Sequence, residues 1–195
     1  PEKKYEGYIF DLDGTLVDSM PLHYRAWREA LARAGAPDHV FRADEFYSCG
    51  GKSANDVVRF LNERYGMHMD AASTAADKRR IYLEMLEKEG MQPIREVVEF
   101  VHSLGDAPKA IATGSAMPGA SRTLAAAGLS GLFDVILTPD EVEHGKPAPD
   151  MFLKAAELLG VSPDRCVVFE DAEPGMKAAA AAGMDCVQVR RPSLA

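Results

Sequence analysis

Asp11 and Asp13 stand one residue apart in the run Asp11-Leu12-Asp13-Gly14-Thr15, directly after the apolar triplet Tyr8-Ile9-Phe10. Two carboxylates so close repel each other unless a cation or a shared proton lies between them. Gly14 permits a sharp turn there. An ordinary Asp-rich turn satisfies the same letters. An EF-hand calcium loop does not, because that loop also needs a Glu downstream, which neither Val17 nor Ser19 supplies. A second acidic pair, Glu170-Asp171, follows the apolar run Cys166 to Phe169. Acids at the end of a buried strand are costly without a cation or donors. The plainer reading is two acids at the positive end of a following helix. If the two pairs converge, three or four carboxylates form a hard-cation site that suits Mg2+.

Two further segments complete the set. Thr113-Gly114-Ser115 offers hydroxyls and backbone N–H groups that can hold a phosphate at a helix start, or simply cap the helix. Lys146 opens Lys146-Pro147-Ala148-Pro149-Asp150, whose prolines restrain the backbone around it. The usual fate of such a lysine is solvation.

These residues need a scaffold that gathers them. Tyr8 to Phe10 reads as a strand, followed by a helix over Pro21 to Ala34 with Ser19 as its cap and Gly35 as its stop. Ser53-Ala54-Asn55-Asp56 opens a second helix that ends at Gly66, and a third runs from Ala75 to Lys88. No strand is expected between residues 18 and 88. Beyond Pro93 the pattern alternates strictly. Helices at Ile94–Leu104, Gly119–Ala127, Met151–Leu159 and Gly175–Ala182 precede strands at Lys109–Ala112, Phe133–Leu137, Cys166–Phe169 and Cys186–Val189. That alternation predicts an α/β, Rossmann-like parallel sheet covered on both faces, with a small all-helical cap inserted after the first strand. Ligands of open parallel sheets bind beyond the carboxyl ends of the strands. All four motifs fall there.

The composition agrees with about one domain and a fraction: 195 residues, 47% apolar and 27% charged. Thirty acidic against 22 basic residues give a net charge of −8, which disfavours nucleic acid and anionic membranes as partners. Neither a membrane span nor a secretory signal is expected. Cys49, Cys166 and Cys186 form no C-x-x-C pair, so a reducing cytoplasm fits, with Cys166 and Cys186 expected in the core.

The ordered set of Asp11-Leu-Asp13-Gly-Thr, Thr113-Gly-Ser, Lys146-Pro-Ala-Pro-Asp and Glu170-Asp171 resembles the haloacid-dehalogenase superfamily of phosphohydrolases over essentially the whole chain. His23-Tyr-Arg-Ala-Trp27, and the stretch from Phe169-Glu-Asp-Ala through Ala182-Gly-Met, are similar to its β-phosphoglucomutase-like subgroup, and there to the fructose-1-phosphate and 6-phosphogluconate phosphatases. The resemblance implies a core of residues 1–17 and 91–195, a cap of residues 18–90, and Mg2+ as cofactor. It implies that Asp11 attacks phosphorus and that Asp13 protonates the leaving oxygen and then activates water. Thr113 and Lys146 would hold the transferring oxygens, beside Gly114 and Ser115. Asp11, the Asp13 carbonyl, Asp171 and Glu170 would bind the metal, with a role behind the ligands as the alternative for Glu170.

The cap decides between water and a sugar hydroxyl as acceptor. The mutases of this subgroup carry a Lys and an Arg in the cap loop where this chain has Gly50 and Ala54. Lys52, between Gly51 and Ser53, replaces them only in part, because a lysine lacks the bidentate fork of arginine. Lys78 matches a cap lysine of the family, with Arg79 and Arg80 beside it; at least two of these three read as a solvated helix face. His23 and Trp27, four residues apart, share a helix face that suits binding, and Trp27 fits equally in the cap core. A phosphatase for small sugar phosphates is expected, acting as a monomer. A β-phosphoglucomutase is the alternative, and a non-catalytic phosphate-binding regulator a lesser one. The two linkers, near residues 16–20 and 88–93, suit hinge closure.

Overall fold

The computed structural model describes residues 4–50 and 52–190. Five parallel strands form one sheet in the order β3-β2-β1-β4-β5. They are β1 (Gly7–Phe10), β2 (Lys109–Ala112), β3 (Val135–Leu137), β4 (Cys166–Glu170) and β5 (Asp185–Gln188). Ile9 pairs with Ala110 on one side and Val168 on the other, so β1 lies at the centre and Asp11 leaves the sheet in the middle of its carboxyl edge.

Successive residues of a strand point to opposite faces. Ile9, Ala110 and Val168 pack with Met151 and Phe152 of α7 (Asp150–Leu159) and Ala178 of α8 (Glu173–Ala181). Phe10 and Ile111 face the other way, toward Val101 of α5 (Arg95–Ser103) and Leu124 of α6 (Met117–Ala126).

Four helices stand between β1 and α5: α1 (Met20–Arg33), α2 (Ala43–Ser48), α3 (Ala54–Tyr65) and α4 (Ala71–Glu89). Among the described residues this stretch holds no strand, as expected. Leu31, Phe41, Phe46, Val58 and Leu61 form a separate apolar cluster here, whereas Leu22, Ala26, Ile81 and Leu86 join the cluster of Phe10 and Ile111. The two crossings into this stretch run side by side: Asp18 N–H donates to Gln92 O at 2.9 Å and Ile94 N–H to Leu16 O at 2.8 Å.

Several boundaries differ from expectation, each for a local reason. Asp70 accepts from Ser73 N–H at 2.7 Å, so α4 begins a turn before its apolar periodicity does. α2 buries only Phe46 and is too short to show a period. Ser19 sits at the N-cap of α1 but makes no capping bond; its hydroxyl is used elsewhere. The expected burial of β5 fails: it is an edge strand with four exposed side chains, so Cys186 is exposed while Cys166 is buried. No described helix is long and apolar enough to cross a membrane.

Candidate active site

The carboxyl edge of the sheet gathers the four motifs. Oxygens of Asp11, Glu170 and Asp171 all lie within 4.8 Å of one another, and the three residues are buried. Lys146 Nζ stands 2.7 Å from Asp11 Oδ1 and 2.7 Å from Glu170 Oε2, with its own side chain 1% exposed. Burial works against that ammonium, but Asp11 and Glu170 outweigh it and hold its pKa above the ordinary lysine range. For Asp11 the balance reverses: burial and the Glu170 charge raise its pKa well above the usual carboxylate value despite Lys146. Asp11 and Glu170 therefore share one lysine, with the Asp171 carboxylate close beside them. A hard divalent cation is the species that such an oxygen set accommodates.

Both oxygens of Glu170 are engaged. Oε2 faces Lys146, and Oε1 accepts from the backbone N–H groups of Asp171 and Ala172, each at 3.1 Å, just ahead of α8. Glu170 thus orients Lys146 from behind. Two glycines make room. A Cβ on Gly175 would fall inside the Glu170 carboxylate. One on Gly14, at φ +92°, would strike the Asp171 carboxylate, whose Oδ1 accepts from Thr15 Oγ1 at 3.3 Å.

Asp13 is held apart from this triad. Its Oδ1 accepts from Ser19 Oγ at 2.6 Å and lies 3.0 Å from His23 Nε2, while Oδ2 accepts from Ser115 Oγ at 2.6 Å. Burial opposes ionisation of Asp13, but His23, Ser115 and Ser19 outweigh it and keep its pKa well below the carboxylate norm. Lys78 Nζ is 2.8 Å from His23 Nδ1. An ammonium has no acceptor, so Nδ1 must accept and the proton sits on Nε2, donated to Asp13. Burial, with Lys78 beside it, lowers the His23 pKa, which agrees with a neutral ring. Burial also brings Lys78 down to about 8.

Asp11, Asp13, His23, Trp27, Lys52 and Ser53 line one cavity of about 390 Å³, together with Lys78, Gly114, Ser115, Glu170 and Asp171. Lys146 lines an adjoining recess with Lys52 and Gly114. Thr113 is fully buried behind the wall, its Oγ1 accepting from Ser115 N–H at 3.1 Å, which leaves its hydroxyl proton to donate. Gly51 lies outside the described residues. Of the three consecutive cations, Lys78 is buried, and Arg79 and Arg80 are exposed as expected. Trp27 satisfies both of its readings: it is 4% exposed in the apolar cluster and also borders the cavity.

Nothing in the spacing of residues marks Ser19 as a partner of Asp13, or places Tyr82, Phe41 and Phe46 in the cavity wall. Phe41 holds φ +60°, rare outside glycine, and packs edge-on against Trp27 at 5.6 Å. Gly175 did carry a signal: a glycine inside a helix costs about 1 kcal/mol relative to alanine, so close packing was the reason to look for.

A family model described as haloacid dehalogenase-like hydrolase matches residues 5–183. The chain belongs to that hydrolase family, and it is an enzyme of the phosphomonoester-hydrolysing kind. It is 39% identical to the fructose-1-phosphate phosphatase YqaB of Escherichia coli over 189 residues, covering 96% of this chain and 98% of that one. It is 35% identical over 192 residues to hexitol phosphatase A of the same organism, covering 96% and 84%. Among solved structures, a β-phosphoglucomutase from Clostridium difficile superposes with a TM-score of 0.80 at 26% identity, covering 94% of this chain and 84% of that one.

Proposed function

We propose that the chain is a Mg2+-dependent phosphatase for small sugar phosphates of the fructose-1-phosphate kind, working through an aspartyl-phosphate on Asp11. The carrying observation is the buried cluster in which one lysine serves Asp11 and Glu170 while Asp171 lies beside them. Asp11 and Asp171, with the Asp13 carbonyl, would hold the ion and Glu170 would stand behind it. Bound there, Mg2+ supplies the positive charge that lets an anionic ester approach a carboxylate.

Asp11 attacks phosphorus, and the ester P–O bond breaks as Asp13 gives a proton to the sugar oxygen. Lys146 fixes Asp11 by its Oδ1. Water then attacks the phosphorus, Asp13 takes its proton, and the bond to Asp11 breaks to release inorganic phosphate. As arranged, Asp13 is ionised, the form that accepts a proton. Oδ2 can carry one if the Ser115 hydroxyl turns from donor to acceptor, while His23 and Ser19 keep Oδ1. Cap residues along the cavity keep bulk water from the first step.

The test is Mg2+-dependent hydrolysis of p-nitrophenyl phosphate. Asp11→Asn should lower kcat by at least about 10⁴-fold, the scale of losing a nucleophile. Undiminished turnover would remove Asp11 from its role. A panel of phosphorylated metabolites with phosphate detection then identifies the sugar.

The likeness to a β-phosphoglucomutase favours a second reading, in which a sugar hydroxyl replaces water. Against it stands the cap loop, where Gly50 and Ala54 offer no cation and Lys52 lies 4.7 Å over the Phe60 ring. Incubation with β-glucose-1-phosphate and a trace of the bisphosphate decides: glucose-6-phosphate accumulating without free phosphate means mutase. A cytoplasmic monomer completes the proposal, in keeping with an exposed free cysteine at Cys186.

A further inference from the structure

We propose that Tyr82 is a positioning residue for Asp13, acting through the His23 imidazole; this rests on the reading of Asp13 as the proton donor. The His23 ring is held at two points in its own plane, by Asp13 at Nε2 (3.0 Å) and by Lys78 at Nδ1 (2.8 Å). Two in-plane contacts leave the ring free to rock about the line joining them. Tyr82 removes that freedom: its ring is stacked on His23 with centroids 4.0 Å apart and planes 8° from parallel.

Tyr82 is itself tied down. Its hydroxyl lies 2.7 Å from Thr123 Oγ1, and both residues are buried. Thr123 belongs to α6, and the segment leading into α6 carries Ser115, the donor to Asp13 Oδ2. The two oxygens of Asp13 are therefore held from opposite directions. His23 on α1 reaches one, and Ser115 ahead of α6 reaches the other. Tyr82 on α4 links these supports, stacked on the first and hydrogen-bonded to the helix that follows the second. Placement of this kind matters because displacement by about 1 Å can cost on the order of 10²-fold in rate.

The test compares two leaving groups in the Mg2+-loaded enzyme, as first-turnover release with enzyme in excess. A sugar alkoxide needs a proton to depart, whereas p-nitrophenolate needs little help. Tyr82→Leu should slow the sugar phosphate by about 10–100-fold, the scale of misplacing a general acid. Release of p-nitrophenolate should change less than about threefold, as should half-saturation. Tyr82→Phe keeps the stacked ring and should recover most of the rate. In metal-free protein, the His23 ring protons should be shifted upfield by the Tyr82 ring, a shift lost in Tyr82→Leu and kept in Tyr82→Phe. Equal slowing of both substrates, an effect on half-saturation alone, or no effect would overturn the proposal. Should Tyr82→Leu fail to fold, Thr123→Val decides. That variant removes only the anchoring hydroxyl, and it should slow the sugar phosphate about 2–5-fold more than the aryl phosphate; an unchanged ratio overturns the proposal. Full aryl phosphate turnover in Asp11→Asn would instead defeat the phosphatase reading and leave the His23 resonances as the separate check on Tyr82.

Discussion

The floor and the roof of the cavity are built on opposite principles. At the floor, Asp11, Glu170, Asp171 and Lys146 are all buried and bound by charge, so each side chain has one position in which the others tolerate it. At the roof, Trp27, Phe41 and Phe46 supply an aromatic wall, and Lys52 is exposed over the Phe60 ring. Electrostatics in a buried place is strong and unforgiving, whereas aromatic packing fixes shape and leaves the rim free to vary. A floor of the first kind suits one reaction, and a roof of the second suits selection among leaving groups.

The sharpest break between the two is Lys146→Met. Without Mg2+ it takes the ammonium away from buried Asp11 and Glu170 and should cost about 3–5 kcal/mol of stability, read as a lower denaturant midpoint. Added Mg2+ should return part of the loss. A midpoint equal to that of the parent protein would mean the floor is not balanced by this lysine. Gly175→Ala comes next, and its sign is the informative part. Helix propensity alone predicts a gain of about 1 kcal/mol, whereas a methyl inside the Glu170 carboxylate predicts a loss of about 1–3 kcal/mol together with the activity. At the roof, Lys52→Ala should leave stability within about 0.5 kcal/mol and raise KM only a few-fold, as for an exposed side chain.

The remaining prediction concerns pH. Lys78 titrates near 8 in the fold, below its ordinary 10.5, because it is buried. Between those values the unfolded chain binds the extra proton, so stability rises with pH over that window. Lys78→Met should remove this increment, measured as the difference in denaturant midpoint between pH 8 and pH 10.5 for variant and parent. A parallel pH dependence in both would show that Lys78 is not depressed.

Much of the floor was legible before any coordinates. Strand, acid pair and following helix leave marks in the letters, and the sheet rule says where they meet. The roof was less legible. α2 buries a single residue, and Phe41 takes a backbone conformation that its side chain disfavours, so neither follows a periodic pattern. Ser19 was misleading because a serine before a helix usually caps it, while here a carboxylate lay within reach of its hydroxyl. The exposure of Cys186 is not legible in the sequence, because an apolar run does not say whether its strand lies inside a sheet or at its edge.

By itself the sequence determined the kind of scaffold, the order of its strands along the chain, and which acids and which lysine stand at strand ends, because hydrophobic periodicity and turn residues act over a few neighbouring positions. Only the tertiary structure decided which carboxylates Lys146 neutralises, that Glu170 faces a lysine and two backbone amides, and that Lys78 and Tyr82 converge on the His23 ring beside Asp13. Those outcomes depend on distances between residues up to 135 positions apart, and on a low-dielectric interior that makes each buried charge take the partner within reach.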